Sequence, residues 1–336
     1  MFIIVEGPDG AGKSTLVEAL DRALWKRGRG CVLVNHKAAP RRPALSEYAR
    51  DLAFYRPGGD VDLVLDRCWL SEEVYGPLWR GTRLPDYVKH YLNLWAESRG
   101  ALFVVLDASD EVLVERVCGT RGDDLVTDPD EVRLLGQTYR ESFHQSDGRE
   151  AVVRHVWPYD LDDVVAGIVD RATSRGGVAS PLDTFPGYLG PARPAVLFLG
   201  DERSESVREQ GYLTAFPPLP GSAAQQVLWP ALVSGANASS LPFGVANGWE
   251  LDVDALHKAL GRPSIVALGR QAAQACARYD VLPAAVVPHP QYVKRFFWPR
   301  RAEYDALLWA LQGDHSGHFG PADPSHPAYQ RETRCN

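Results

Sequence analysis

Phe2-Ile3-Ile4-Val5-Glu6-Gly7-Pro8-Asp9-Gly10-Ala11-Gly12-Lys13-Ser14-Thr15-Leu16-Val17-Glu18-Ala19-Leu20 is the stretch whose reading decides the fold. The apolar run Phe2 to Val5 reads as a buried strand, and Thr15 onward carries a helical pattern. Between them, Gly7 to Ser14 spells a complete G-x-x-x-x-G-K-[ST] phosphate loop in the strand–loop–helix setting that the motif requires. The glycines let backbone N–H groups turn inward around phosphate oxygens, and the helix N-terminus adds its positive dipole. On this reading Gly7, Gly10, Ala11, Gly12, Lys13, Ser14 and Thr15 bind the donor nucleotide, ATP. Lys13 reaches the β/γ-phosphates, and the Ser14 hydroxyl ligates Mg²⁺. Asp9, inside the loop, either orients an attacking oxygen or ties down the turn.

Outward from the loop, strands and helices alternate. Strand 31–34, helix 44–55, strand 61–65, helix 84–98, strand 101–106, helix 110–117, helix 130–145, strand 151–157 and helix 160–174 complete one unit. Strands separated by helical patterns predict a parallel sheet covered on both faces, with active groups at the carboxyl ends of its strands. Asp66-Arg67 stands at such an end. There the carboxylate can hold Mg²⁺ and the arginine can clamp an acceptor phosphate through two bonds. Arg116 and Arg121, at a helix end and in the next loop, are placed to neutralise charge developing on a transferred phosphoryl group. Each of these residues also has a plain reading, as helix cap or solvated surface arginine.

A second α/β pattern begins at Ala195-Val196-Leu197-Phe198-Leu199-Gly200. Helix 222–233, strand 243–247, helix 252–260, strand 264–268, helix 270–278, strand 284–288 and helix 299–311 follow. The expected division is a nucleotide kinase domain at 1–175, a Gly/Pro-containing linker at 176–193, a second α/β domain at 194–312 and a tail at 313–336 that reads as disordered. The length, 336 residues, suits two domains.

Composition narrows the setting. The chain is 45% hydrophobic and 24% charged with a net charge of −7, so neither half is a basic nucleic-acid-binding domain by bulk charge. Cys31, Cys68, Cys118, Cys276 and Cys335 lack C-x-x-C spacing, which argues for reduced thiols in a cytoplasmic setting and against a zinc site. No apolar run approaches membrane-spanning length, so no membrane partner is expected.

The first half resembles the thymidylate kinase family of nucleoside monophosphate kinases. The matching residues are Phe2 to Thr15, Asp66-Arg67 with Ser71 and Tyr75-Gly76, and Leu106-Asp107-Ala108-Ser109 with Glu115-Arg116 and Arg121-Gly122. The resemblance, over residues 1–145, implies that Lys13 and Ser14 bind ATP·Mg²⁺ and that Asp66 and Arg67 serve metal and acceptor. It also implies that Arg116 and Arg121 close on the phosphates, and that the protein is a homodimer. One departure stands out. Where that family carries Arg-Glu-Pro after the second strand, this chain reads Val34-Asn35-His36-Lys37-Ala38-Ala39-Pro40. Lys37 supplies a cation there but lacks the guanidinium fork. Trp69, Tyr75 and Trp79 stand on the acceptor side, either as stacking surfaces for a base or as packing.

The second half resembles the uracil-DNA glycosylase superfamily over residues 195–311, through the order of Gly200-Asp201-Glu202-Arg203-Ser204, Phe216-Pro217-Pro218, Val245-Ala246-Asn247 and His289-Pro290-Gln291-Tyr292. The resemblance implies that Asp201 handles an attacking water, Asn247 reads a flipped base and His289 stabilises the leaving base. The first loop departs from that pattern, with Arg203 and Ser204 where a proline and a glycine are usual. Only Cys276 lies in the body of this half, which excludes the four-cysteine iron–sulphur cluster of one branch. Lys294, Arg295, Arg300 and Arg301 alternate with Tyr292, Phe296, Phe297 and Trp298, a pattern suited to a nucleic-acid strand or to a solvated helix start.

Three functions remain open on sequence. The first is an ATP-dependent kinase of thymidylate or a 5-substituted deoxypyrimidine nucleotide. The second is a kinase acting on a modified thymine, of the 5-hydroxymethyluracil type, within DNA, as in phages with hypermodified thymine. The third is an NTP-binding, DNA-associated switch. A small nucleotide acceptor and DNA are the partners these readings imply.

Overall fold

The computed structural model describes residues 1–35, 45, 47–49, 52, 55, 61–120, 126, 128–144, 152–176, 184–185, 187–209, 212, 214–233 and 242–313. Lys37, Arg121, Cys335, most of the expected helix 44–55, residues 177–183 of the expected linker and residues 314–336 of the expected tail lie outside them.

The chain divides into two compact units. One comprises Met1–Pro85 with Arg99–Ala179, the other Asp86–Ser98 with Ser180–Asn336. The first is built on a parallel sheet of β1 (Phe2–Glu6), β2 (Gly30–Asn35), β3 (Val61–Asp66), β4 (Leu102–Asp107) and β5 (Val152–Val156), in the order β2-β3-β1-β4-β5. Val5 pairs with Asp66 on one side of β1 and with Val104 on the other. The strands β1 and β4 are buried throughout, which explains their unbroken apolar sequences. One sheet face packs on α1 (Lys13–Lys26) through Leu16, Leu20 and Leu24, and on a late helix, Leu161–Gly176, through Ile168 and Val169. Between β3 and β4 come α2 (Ser71–Tyr75), a π turn at Gly76–Arg80 and α3 (Asp86–Ser98). Two further helices, α4 (Asp110–Thr120) and α5 (Pro129–His144), precede β5. All of these strands present their carboxyl ends at one edge of the sheet, as parallel pairing dictates.

The second unit has a parallel sheet of β6 (Val196–Gly200), β7 (Phe243–Asn247), β8 (Ser264–Leu268) and β9 (Ala285–Val287), ordered β7-β6-β8-β9. Gly200 pairs with Asn247 at the carboxyl edge. A core of Leu197, Leu199, Ala246, Leu256 and Ile265 covers one face. The expected helix at 222–233 contains a π stretch, Ala224–Leu228. The helix α3 belongs to this unit although its sequence lies inside the first: its residues contact Thr214, Gln225, Trp229 and Phe243. Among the described residues no helix is long and apolar enough to cross a membrane.

Candidate functional site

The phosphate loop runs from the end of β1 to the first turn of α1. A Cβ on Gly7, whose φ is +145°, would lie 2.3 Å from the Leu106 carbonyl oxygen of β4, so only glycine lets the chain leave β1 this close to its neighbour. The helix begins at Lys13 behind Gly12, with no side-chain cap. Its first N–H groups therefore remain available to an anion. Lys13 is buried and donates from Nζ to the Pro8 carbonyl at 2.7 Å. Burial, then the Arg67 charge, push its ammonium down to about 7, against the opposing pull of Asp9, Asp66 and Glu6. Ser14 follows on the first turn and Thr15 is exposed.

Asp66 closes β3 and is 4% exposed. The next residue, Arg67, has φ +74°, a left-handed conformation that strains a non-glycine residue and turns its side chain back over the loop. Its guanidinium, 5% exposed, donates to the Gly7 carbonyl at 3.3 Å, the Tyr139 hydroxyl at 2.7 Å, Ser71 Oγ at 3.4 Å and Asp9 Oδ1 at 2.5 Å. It also lies 4.9 Å over the Tyr75 ring. Asp9 is engaged on both oxygens, since Tyr75 donates to Oδ2 at 2.7 Å. Burial raises the Asp9 carboxyl, but Lys13 and Arg67 outweigh it and hold the group below the usual carboxylate range. Beneath this layer, fully buried Glu6 accepts from the Cys68 amide at 2.7 Å and from Ser71 Oγ at 2.8 Å. Lys13, Asp9, Asp66 and Arg67 are thus brought together, and Arg67 is held by the loop and its neighbours.

Arg116, on α4, comes to the outer side of the loop. It donates to the Gly10 carbonyl at 3.0 Å and lies 4.2 Å over the Trp157 ring. Trp157 packs edge-on against Tyr159 at 5.3 Å, and the Tyr159 hydroxyl donates to the Ala11 carbonyl at 3.4 Å. Tyr139, Trp157 and Tyr159 belong to no motif, and their only signal in the sequence is that Trp157 and Tyr159 stand at the end of the last strand of a phosphate-loop sheet. Glu6 lies in the Phe2 to Thr15 stretch, but nothing local marks it as a partner of Cys68 and Ser71. Of the aromatics expected on the acceptor side, Trp69 is fully buried against Phe103 and Tyr48 and has no face for a base. Trp79, 37% exposed, stacks beside Tyr75 at 5.4 Å.

Mg²⁺ fits here only with help from a substrate. Among the described residues no group of three or more His, Cys, Asp or Glu side chains could hold a metal ion. Ser14 and Asp66 supply one hydroxyl and one carboxylate, and Mg²⁺ characteristically takes one or two carboxylates plus phosphate oxygens and water.

In the second unit, Asn247 ends β7, and Asp201 and His289 follow β6 and β9, all at one sheet edge. The His289 Nδ1 accepts from the Gln291 amide at 3.1 Å, which directs Nε2 toward Asp201 Oδ1 at 3.4 Å. Burial raises the Asp201 carboxyl, and the bond and charge of His289 with the Glu202 amide more than reverse this, leaving it below its usual value. Asn247 is 1% exposed, and its Nδ2 has no described partner. Arg203 stands two residues after Asp201. It binds Glu250 through its amide at 2.8 Å and Nε at 2.5 Å, tying the Asp201 loop to the turn after Asn247. Among the basic residues after His289, Lys294 donates to the Gly221 carbonyl, Arg300 pairs with Glu303 at 2.6 Å and Arg301 with Asp305 at 3.5 Å. Phe296 and Trp298 remain exposed.

Comparison with solved structures finds many similar chains, among them the following three. The YorR protein from Bacillus subtilis, in complex with phosphorylated GDP, is 22% identical, with 51% of this chain and 94% of that chain covered at a TM-score of 0.40. Deoxyadenosine kinase from M. mycoides with products dCMP and a flexible dCDP bound is 16% identical, with 52% and 100% covered at 0.33. The same kinase with bound dATP is 17% identical over 52% and 100%, also at 0.33. No family model and no curated protein matches the chain.

Proposed function

We propose that the first unit is an ATP-dependent phosphotransferase. The observation that carries this reading is the gathering of Lys13, Asp9, Asp66 and Arg67 around a phosphate loop at the carboxyl edge of a parallel sheet. The loop amides and Lys13 hold the donor phosphates. Bound Mg²⁺ supplies charge neutralisation, with Ser14 and Asp66 as its protein ligands. Arg116 and Trp157 form a flat cation–aromatic surface beside Gly10 on which the donor purine stacks. Arg67 fixes Asp9 and the loop in place, and Asp9 is positioned to orient the acceptor oxygen once it is drawn from Tyr75. Catalysis is then positioning and electrostatics, as phosphoryl transfer requires.

The acceptor in this reading is a deoxypyrimidine nucleotide of thymidylate type. A second reading, a modified thymine within DNA, is favoured by one observation: Asp201, Asn247 and His289 converge at the carboxyl edge of a separate sheet, with the buried Asn247 amide offering a donor. A base-modifying protein must extract its target from the stack, and a base-gripping unit serves that end. The full-length protein with labelled ATP, thymidylate, and oligonucleotides containing thymine or 5-hydroxymethyluracil separates the two. Label in thymidylate supports the first, and label in DNA supports the second. Hydrolysis of ATP without transfer to either removes the kinase reading and leaves a switch.

A further inference from the structure

The ring of Phe216 abuts the end of β6. A Cβ at Gly200 would sit 2.0 Å from Phe216 Cζ and 2.8 and 3.1 Å from its two Cε atoms, so the tip of the ring points at the backbone that leads into Asp201, beside the Gly200–Asn247 pair, and its faces are turned away from that backbone. Phe216 is half-buried and has φ +50°. A left-handed phenylalanine persists only where its surroundings over-determine it. Three contacts do so. Trp229 Nε1 donates to the Phe216 carbonyl at 2.6 Å, and the Ala215 amide donates to the Gly187 carbonyl at 3.0 Å. The third comes from α3: the Tyr91 hydroxyl is hydrogen-bonded to Thr214 Oγ1, and both residues are fully buried. The Tyr91 ring also meets Trp229 edge-on at 5.4 Å, so this one side chain braces both supports of the Phe216 loop. The neighbouring Tyr87 hydroxyl accepts from Gln225 at 3.0 Å, and His90 stacks on Phe243 at 5.4 Å, which fixes the register of α3 against the sheet.

We propose that Tyr91 is a positioning residue for the base site of the second unit, holding Phe216 as the stacking surface beside Asp201, Asn247 and His289. This rests on the reading of that cluster as a site for a pyrimidine base of DNA taken out of the stack. A segment whose sequence lies between two strands of the nucleotide-binding unit therefore completes the site of the other.

The test measures binding of a fluorescein-labelled, roughly 12-nucleotide oligothymidylate to the full-length protein by anisotropy at fixed salt. Asn247→Ala and Phe216→Ala weaken binding if the cluster is a base site. Tyr91→Phe, which keeps the ring and removes only the hydroxyl, weakens it by about fivefold, within the range for one lost hydrogen bond. In a Phe216→Ala background Tyr91→Phe adds no further loss, because its effect runs through that ring. Thr214→Val removes the same bond from the other side and carries the test where Tyr91→Phe does not fold. Full affinity in both bond-removing variants, or a loss that is undiminished in the Phe216→Ala background, overturns the role of Tyr91 while leaving the base site standing. Wild-type binding by both Asn247→Ala and Phe216→Ala removes the base site, and the inference with it.

Discussion

At the residue scale, three side chains set the behaviour of the two sites. In the proposed function Lys13 holds the donor phosphates, so Lys13→Ala is expected to abolish the heat of ATP binding in calorimetry. Arg67 is a buried cation; Tyr139 beside it is equally buried and Asp9 is partly so. Removing it takes the guanidinium from beside Glu6 and Asp9, leaving Asp9 with Lys13 at 3.8 Å, and takes a donor from the Tyr139 hydroxyl. Breaking a buried ion pair from one side costs about 3–5 kcal/mol, and Arg67→Ala is expected to lose that much in urea unfolding of the first unit. Arg67→Lys does not restore it, because a single ammonium cannot reach Gly7, Tyr139 and Asp9 together. Asp201 gives a pH signature. Its native pKa lies below the ordinary 3.8, so its ionised form favours the folded chain above that pH, and the contribution disappears as pH falls through the native value. Parent and Asp201→Asn thus differ in thermal midpoint at neutral pH and converge at the acid end of the titration.

At the element scale, α3 is the segment whose packing departs most from its place in the chain. Tyr91, Leu92, Leu94, Trp95 and Ala96 are all buried, as is Asn93, so the helix is enclosed on more than one side. An amphipathic surface helix would show one apolar stripe, and an apolar surround marks burial. Trp95 packs edge-on against Tyr91 at 5.8 Å. Trp95→Ala opens a cavity next to the Tyr91–Thr214 bond and is expected to cost about 3–5 kcal/mol, read as a lowered thermal midpoint of the second unit. The other elements were legible because their signals are local. Strands β1, β3, β4, β6, β7 and β8 are apolar runs, and α1 opens behind a motif that admits one geometry. The short helices α2, Glu205–Glu209 and Pro290–Phe296 and the π stretches at Gly76–Arg80 and Ala224–Leu228 were not, since one or two turns have too few residues to show a period.

At the scale of the whole molecule, the crossings of the chain at Pro85–Asp86 and Ser98–Arg99 decide what can be separated from what. A fragment of residues 180–336 lacks α3 and exposes Trp229, Phe243 and Thr214, which are buried in the intact chain. Such a fragment is expected to be insoluble or molten, with weak near-ultraviolet dichroism. Fusing residues 86–98 to it restores a cooperative thermal transition. A well-folded 180–336 fragment would show that α3 is dispensable to the second unit.

Asp201, Asn247 and His289 came as candidates only through a resemblance in the order of motifs. Sequence alone determined the phosphate loop, the parallel character of the first sheet and the candidates Lys13, Ser14 and Asp66. These depend on local chemistry: a glycine pattern bending one turn, an apolar run burying one strand, and a polar residue at a strand end. Only the tertiary structure decided that Arg67 is tied to Asp9 and Tyr139, that Trp69 is core, that Trp157 lies against Arg116, and that residues 86–98 pack into the second unit. Each of those outcomes depends on which distant surfaces meet, and a contact between residues more than a hundred positions apart, such as Tyr91 with Thr214, leaves no periodic trace in either segment.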